Sequence, residues 1–141
     1  MEKILDVAFY WCNLETFMKK LITLFAILAM FTPVVNAKEY FARVTYYWTG
    51  HITSLGKKPV SGHTIAVDPK IIPYGSRVHI PAMSKIYVAG DTGSAVKSRL
   101  AARKLGKPEA IVVDVYCSSK GEAAKLIKKH PMFMKVWVEK K

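Results

Sequence analysis

The chain has 141 residues, with 22 Lys and Arg against 10 Asp and Glu and a net charge of +12. So one-sided a field attracts polyanions: nucleic acid, anionic lipid, or a polymer bearing carboxylates and phosphates. Two cysteines are too few for a disulfide framework, so the fold must rest on a core of its own.

Taken in order, Met18-Lys19-Lys20, the apolar run Leu21 to Phe31 and the small residues leading to Val35-Asn36-Ala37 have the basic, apolar and cleavage regions of a secretory signal peptide. The apolar run is too short for a comfortable membrane span. Residues 1–17, with Glu2, Asp6 and Glu15, precede the signal and read as an upstream extension from a misplaced start. Cleavage after Ala37 leaves residues 38–141, enough for one domain with a modest core. That part keeps 19 Lys and Arg, 7 acids and the whole +12. Cys12 departs with the leader, so Cys117 has no partner within the chain and reads as a small core filler. No cysteine follows the signal to receive a lipid. An exported monomer with no membrane anchor is expected, and for such a protein the bacterial wall is the nearest polyanion.

Tyr40 to Trp48, rich in aromatic and β-branched residues, predicts the first strand. His51 to Gly62, with Gly56, Pro59 and Gly62, predicts a loop. His63 to Val67 predicts a second strand that Asp68-Pro69 turns, and Ile71 to Gly75 a further turn. Arg77 to Ile80 and Lys85 to Ala89 predict a hairpin joined through Pro81 to Ser84, followed by the glycine-bracketed turn Gly90 to Ser94. Ser98 to Leu105 predicts two helical turns, stopped by Gly106-Lys107-Pro108. Ala110 to Cys117 predicts a buried or half-buried strand. Ser119 and Glu122 have the spacing of a capping box for a helix to about Lys129, with Ala123, Leu126 and Ile127 facing inward. Met134 to Val138 is the last strand.

Six short strands and one or two short helices make an all-β domain, and a closed barrel is its natural form because closure removes exposed edges. Residues 38–141 hold only three aspartates, and each lies in or at the end of a strand: Asp68, Asp91 and Asp114. Asp114 stands deepest in an apolar run. A carboxylate there needs hydrogen bonds or a cation, or it stays protonated. That makes it the first candidate for acid chemistry.

Ile65-Ala66-Val67-Asp68-Pro69, Ile72-Pro73-Tyr74-Gly75, Gly90-Asp91-Thr92-Gly93-Ser94-Ala95-Val96-Lys97 and Val113-Asp114-Val115-Tyr116 together resemble the signatures of the three-aspartate (3D) domain family. That family is similar to the catalytic barrel of membrane-bound lytic transglycosylase A and includes stationary-phase muralytic proteins. The resemblance implies a six-stranded double-psi β-barrel that cleaves peptidoglycan glycan without metal or cofactor. Asp114 matches the family's catalytic acid, Asp91 and Asp68 match its companions, and Lys97 matches a lysine of the second motif. Thr53 and Tyr46, with Trp48, are candidates to line the sugar groove. Relative to the family, Ser94 and Ser98 stand where glycines are usual, and Arg99 to Glu109 reads as a basic insertion that covers or extends the groove.

The four histidines show no metal-ligand spacing. No Gly-x-Ser-x-Gly elbow, phosphate-binding loop or nucleic-acid motif accompanies the positive charge. Two other readings stand beside the lytic enzyme. One is an expansin-like barrel that binds wall glycan without cutting it; the other is a basic nucleic-acid-binding protein, which an export signal disfavours.

Overall fold

A computed structural model describes Met18 and residues 36–141, and residues 36–141 form one compact unit. The expected extension 1–17 and leader 18–37 lie outside the described residues, apart from Met18, Asn36 and Ala37.

Six strands follow the predicted runs: β1 (Ala37–Tyr47), β2 (Thr64–Ala66), β3 (Arg77–Ile80), β4 (Lys85–Asp91), β5 (Ile111–Tyr116) and β6 (Phe133–Glu139). They pair in the order β1-β5-β2-β4-β3-β6, and β6 returns to β1, so the sheet closes on itself. The long β1 makes this possible. Its first part, Ala37 to Arg43, runs antiparallel to β6, and its second part, Ala42 to Tyr47, runs parallel to β5. The expected hairpin is present as the antiparallel pair β3 and β4. A 3-10 turn (Pro81–Met83) joins them and leaves through Ser84 at φ 50°.

Alternation along each strand sends one face inward. Ala42 and Val44 of β1, Ile65 of β2, Val78 and Ile80 of β3, Tyr87 and Ala89 of β4, Val113 and Val115 of β5, and Val136 and Val138 of β6 fill the barrel. One irregularity breaks this order. Ile65 lies opposite Ala89 but Ala66 lies opposite Asp91, so Gly90 is an extra residue, a β-bulge. With strict alternation Asp91 would follow Tyr87 and Ala89 into the core. The bulge turns it to the outer face instead.

Between β4 and β5 the chain forms two helical turns, α1 (Ser94–Ser98) and α2 (Leu100–Arg103). The single helix expected over Ser98 to Leu105 is therefore corrected, because Arg99 adopts a left-handed conformation at φ 54°. In one continuous helix Val96 and Ala102 would point about 120° apart. The break lets both pack with Ala110 and Val112 in a second apolar cluster.

The helix α3 (Lys120–Lys129) begins at Ser119, whose hydroxyl accepts from the Glu122 N–H at 3.2 Å. Only this half of the expected capping box forms. The Glu122 carboxylate instead accepts from the Ser118 N–H at 2.6 Å, the Ser118 hydroxyl at 2.8 Å and the Ser61 hydroxyl at 2.8 Å. These bonds, that to the Ser118 backbone first, hold its carboxyl below the ordinary range and tie the 51–62 loop to α3. Ala123 is buried and Leu126 packs on the core, but Ile127 is 56% exposed, a correction to its expected inward position. Cys117 is fully buried, and burial pushes its thiol up to about 11, which suits a core filler.

These placements give a sharp contrast. Ile65→Ala, at a fully buried core position, is expected to cost about 2–5 kcal/mol in urea unfolding, whereas Ile127→Ala should stay within about 0.5 kcal/mol.

Candidate active site

The pairing registers place four residues in one rung. Thr45 of β1 lies opposite Asp114 of β5, Asp114 opposite Ala66 of β2, and Ala66 opposite Asp91 of β4. Thr45, Ala66 and Asp114 lie on the outer face, since their neighbours Val44, Ile65 and Val113 belong to the core, and the Gly90 bulge brings Asp91 to the same face. Two strand spacings separate the Cα atoms of the acids, about 10 Å. The methyl of Ala66 leaves the space between them open. Above the rung is a groove of about 450 Å³, bordered by Asp91 and Asp114 and by Tyr47, Thr53, Ser54 and Val96 among others.

The two acids differ in how they are held. Asp91 has both oxygens occupied: Oδ1 accepts from the Ser54 and Thr92 N–H groups, each at 2.8 Å, and Oδ2 accepts from the Tyr47 hydroxyl at 2.8 Å. That contact and burial keep the Tyr47 phenol protonated, raising it well above its ordinary value with burial as the larger cause. Asp114 accepts one hydrogen bond at Oδ1, from the Thr45 hydroxyl at 2.8 Å. Among the described residues its Oδ2 has no hydrogen-bond partner. Its carboxyl is raised above the ordinary 3.8, first by burial and then by the charge of Asp91, against the lowering pull of Thr45. The burial has a visible source: Val112 precedes Asp114 by two residues on the same face and is covered by Val96 and Ala102 of the two helical turns. The segment read as an insertion, Arg99 to Glu109, supplies Ala102 to this cluster but does not itself border the groove, whose wall here is Val96.

Among the sequence candidates, Asp114, Asp91 and Thr53 border the groove together. Asp68 does not border it. It ends the β2 segment, where its Oδ1 accepts from the Lys70 N–H at 3.0 Å and its carbonyl from Ile71 and Ile72, the self-capping common to an Asx turn. It is tied to the site through backbone: Val67 N–H donates to the Asp91 carbonyl at 3.0 Å, and the Thr92 hydroxyl donates to the Val67 carbonyl at 2.7 Å. Lys97 is exposed on α1 and does not border the groove, nor does the exposed Trp48. Tyr46 packs against the core, with its hydroxyl 4.0 Å from the Met83 sulfur.

Thr45 and Tyr47, which touch the two acids, are the residues that sequence reasoning missed. The signal that identifies them is alternation: Ala42 and Val44 put even-numbered residues inside, so Tyr46 faces the core and its odd-numbered neighbours face the groove. Among the described residues no three His, Cys, Asp or Glu side chains are grouped to hold a metal ion.

The arrangement can do one thing that neither acid alone can. It sets one carboxyl, raised and free at one oxygen, beside a second that is fixed by three donors. The family model of the 3D domain matches residues 63–102. That span contains Asp68, Asp91 and Lys97 and ends before β5, so Asp114 stands outside it and is joined to it by the rung. No curated protein matches the chain.

The raised carboxyl has a stability cost. Between 3.8 and its folded value, Asp114 binds more protons folded than unfolded, so stability falls as pH rises through that window. Asp114→Asn removes the loss. Its melting temperature should equal that of the wild type near pH 3 and exceed it at pH 7, read by circular dichroism; an equal difference at both pH values would contradict the assignment.

Proposed function

From the match of residues 63–102 to the 3D domain, we propose that the chain is an exported lytic transglycosylase. It would cleave the bond between N-acetylmuramic acid and N-acetylglucosamine in peptidoglycan, with Asp114 as its single acid and base. The observation that carries this reading is the contrast between the two carboxylates: Asp91 is held at both oxygens by three donors, while Asp114 is raised and keeps one oxygen for the groove.

Glycoside hydrolysis ordinarily needs two working carboxyls, one to protonate the leaving oxygen and one to attack the sugar or activate water. Lytic cleavage needs one. The Asp114 acid gives its proton to the glycosidic oxygen, the bond from the muramyl C1 to that oxygen breaks, and the glucosamine hydroxyl leaves. The Asp114 carboxylate then takes the proton of the muramyl 6-hydroxyl as O6 bonds to C1, which forms the 1,6-anhydro ring and restores the acid. Neither step calls for a metal or cofactor. The fixed charge of Asp91 faces the positive character that develops on the sugar. Asp68 holds the turn behind Asp91, and Thr53 holds the turn that presents Ser54.

The same reading takes the closed sheet, with its parallel pairs β1 with β5 and β2 with β4, as a double-psi barrel. It also takes residues 18–37 as the export signal and the +12 charge as attraction to the anionic wall. Nucleic acid has no part in it.

Purified sacculi incubated with the protein should release fragments ending in 1,6-anhydro-N-acetylmuramic acid, identified by mass spectrometry. Asp114→Asn should lower the rate by about 10²–10⁴-fold. Reducing ends would indicate a hydrolase. No products from a protein that still sediments with sacculi would indicate a glycan-binding barrel.

A further inference from the structure

Beyond the groove, on the other side of Thr53, lies a second cavity of about 320 Å³ that Thr53 also borders. The two are consecutive along the same strands. Thr64 and Gly90 border the second cavity, and Ala66 and Asp91 border the groove. Thr64 and Ala66, two residues apart on β2, lie about 7 Å apart, a length that a short arm on a sugar held in the groove can span.

The chemistry of its lining is distinct. Leu55, Val60 and Val88 supply apolar wall, Lys57 and Lys58 supply the cationic edge, His63 also borders it, and among the described residues no acidic one does. Among the described residues the ion pairs are Arg77 with Glu139 and Lys135 with Glu39, so neither Lys57 nor Lys58 has a carboxylate partner there. The turn that carries these lysines is fixed: Thr53 N–H donates to the Lys57 carbonyl at 2.7 Å, Gly56 N–H to the Thr53 carbonyl at 2.9 Å, and Lys57 N–H to the Thr53 hydroxyl at 3.3 Å. The same turn sends the Ser54 N–H to Asp91. One face of it thus holds Asp91, and the other frames an apolar recess edged by cations that have no acidic partner among the described residues.

Such a recess suits a short aliphatic arm bearing carboxylates, since apolar walls bury the methyl and methylene groups while the ammonium groups meet the charge. Resting on the glycan-cleaving reading, we propose that this cavity binds the carboxylate-bearing peptide stem carried on the lactyl group of the muramyl residue at Asp114. The enzyme then selects peptide-bearing glycan over bare glycan.

Calorimetry with purified protein carrying Asp114→Asn measures binding without turnover, using N-acetylmuramic acid and N-acetylmuramyl tetrapeptide as probes. The peptide-bearing probe is expected to bind at least about 10-fold tighter, a gain of about 1.4 kcal/mol. Adding Lys57→Ala and Lys58→Ala should abolish that gain, whereas Lys125→Ala with Lys128→Ala, an equal charge loss on α3, should keep it. Equal affinity for the two probes, or a gain that survives loss of Lys57 and Lys58, overturns the proposal. Digestion of sacculi by the wild type separates the two ideas. Cleavage with equal probe affinities removes the stem site and leaves the lytic reading, while a lysine-dependent gain without cleavage leaves the stem site and removes the lytic reading.

Discussion

A strand turns successive side chains to opposite faces, so Asp114 cannot share the core with Val113 and Val115. It must stand on the outside of the barrel, in the rung that joins Thr45, Ala66 and Asp91. Everything at the site depends on that rung. β1 must bend from β6 to β5 to bring Thr45 alongside. The Gly90 bulge must rotate Asp91 outward, and residue 66 must be small enough to leave the two acids in one groove. The two helical turns then cover Val112 and remove water from one side.

Burial and a like charge both oppose ionisation, and the rung applies both to Asp114. Three donors stabilise the charge of Asp91, and that charge in turn disfavours a second one nearby. The two carboxylates differ because of what surrounds them. A carboxyl raised in this way lowers stability at neutral pH.

Local signals in the chain are strong. Arg77 to Ile80 reads as a strand and is one, and the Ser119 cap and the position of Cys117 follow from spacing and composition. What spacing cannot carry is long-range pairing. That Thr45 meets Asp114 depends on a contact across 69 positions, set by the closure of the whole sheet. The Gly90 bulge is equally silent, because a glycine before Asp-Thr-Gly reads as part of a turn. Arg99 and its neighbours have ordinary helix formers, so only the need to turn Val96 and Ala102 to one side reveals the break. Tyr46 and Lys97 were candidates by type and neighbourhood, but alternation along β1 and exposure on α1 keep them away from the groove. Asp114 was legible because a carboxylate in an apolar strand demands a reason.

The central claim is that a protonated Asp114, raised in part by the charge of Asp91, is the acid of a cleavage reaction. The most direct measurement is the pH dependence of kcat/KM on soluble glycan strands for the wild type and for Asp91→Asn, which keeps the shape of the side chain and removes its charge. Activity should fall as pH rises through the Asp114 carboxyl, since the ionised form has no proton to give. Removing the neighbouring charge should move that falling limb to lower pH. A limb that stays in place would show that Asp91 does not govern the proton on Asp114 and would contradict the account.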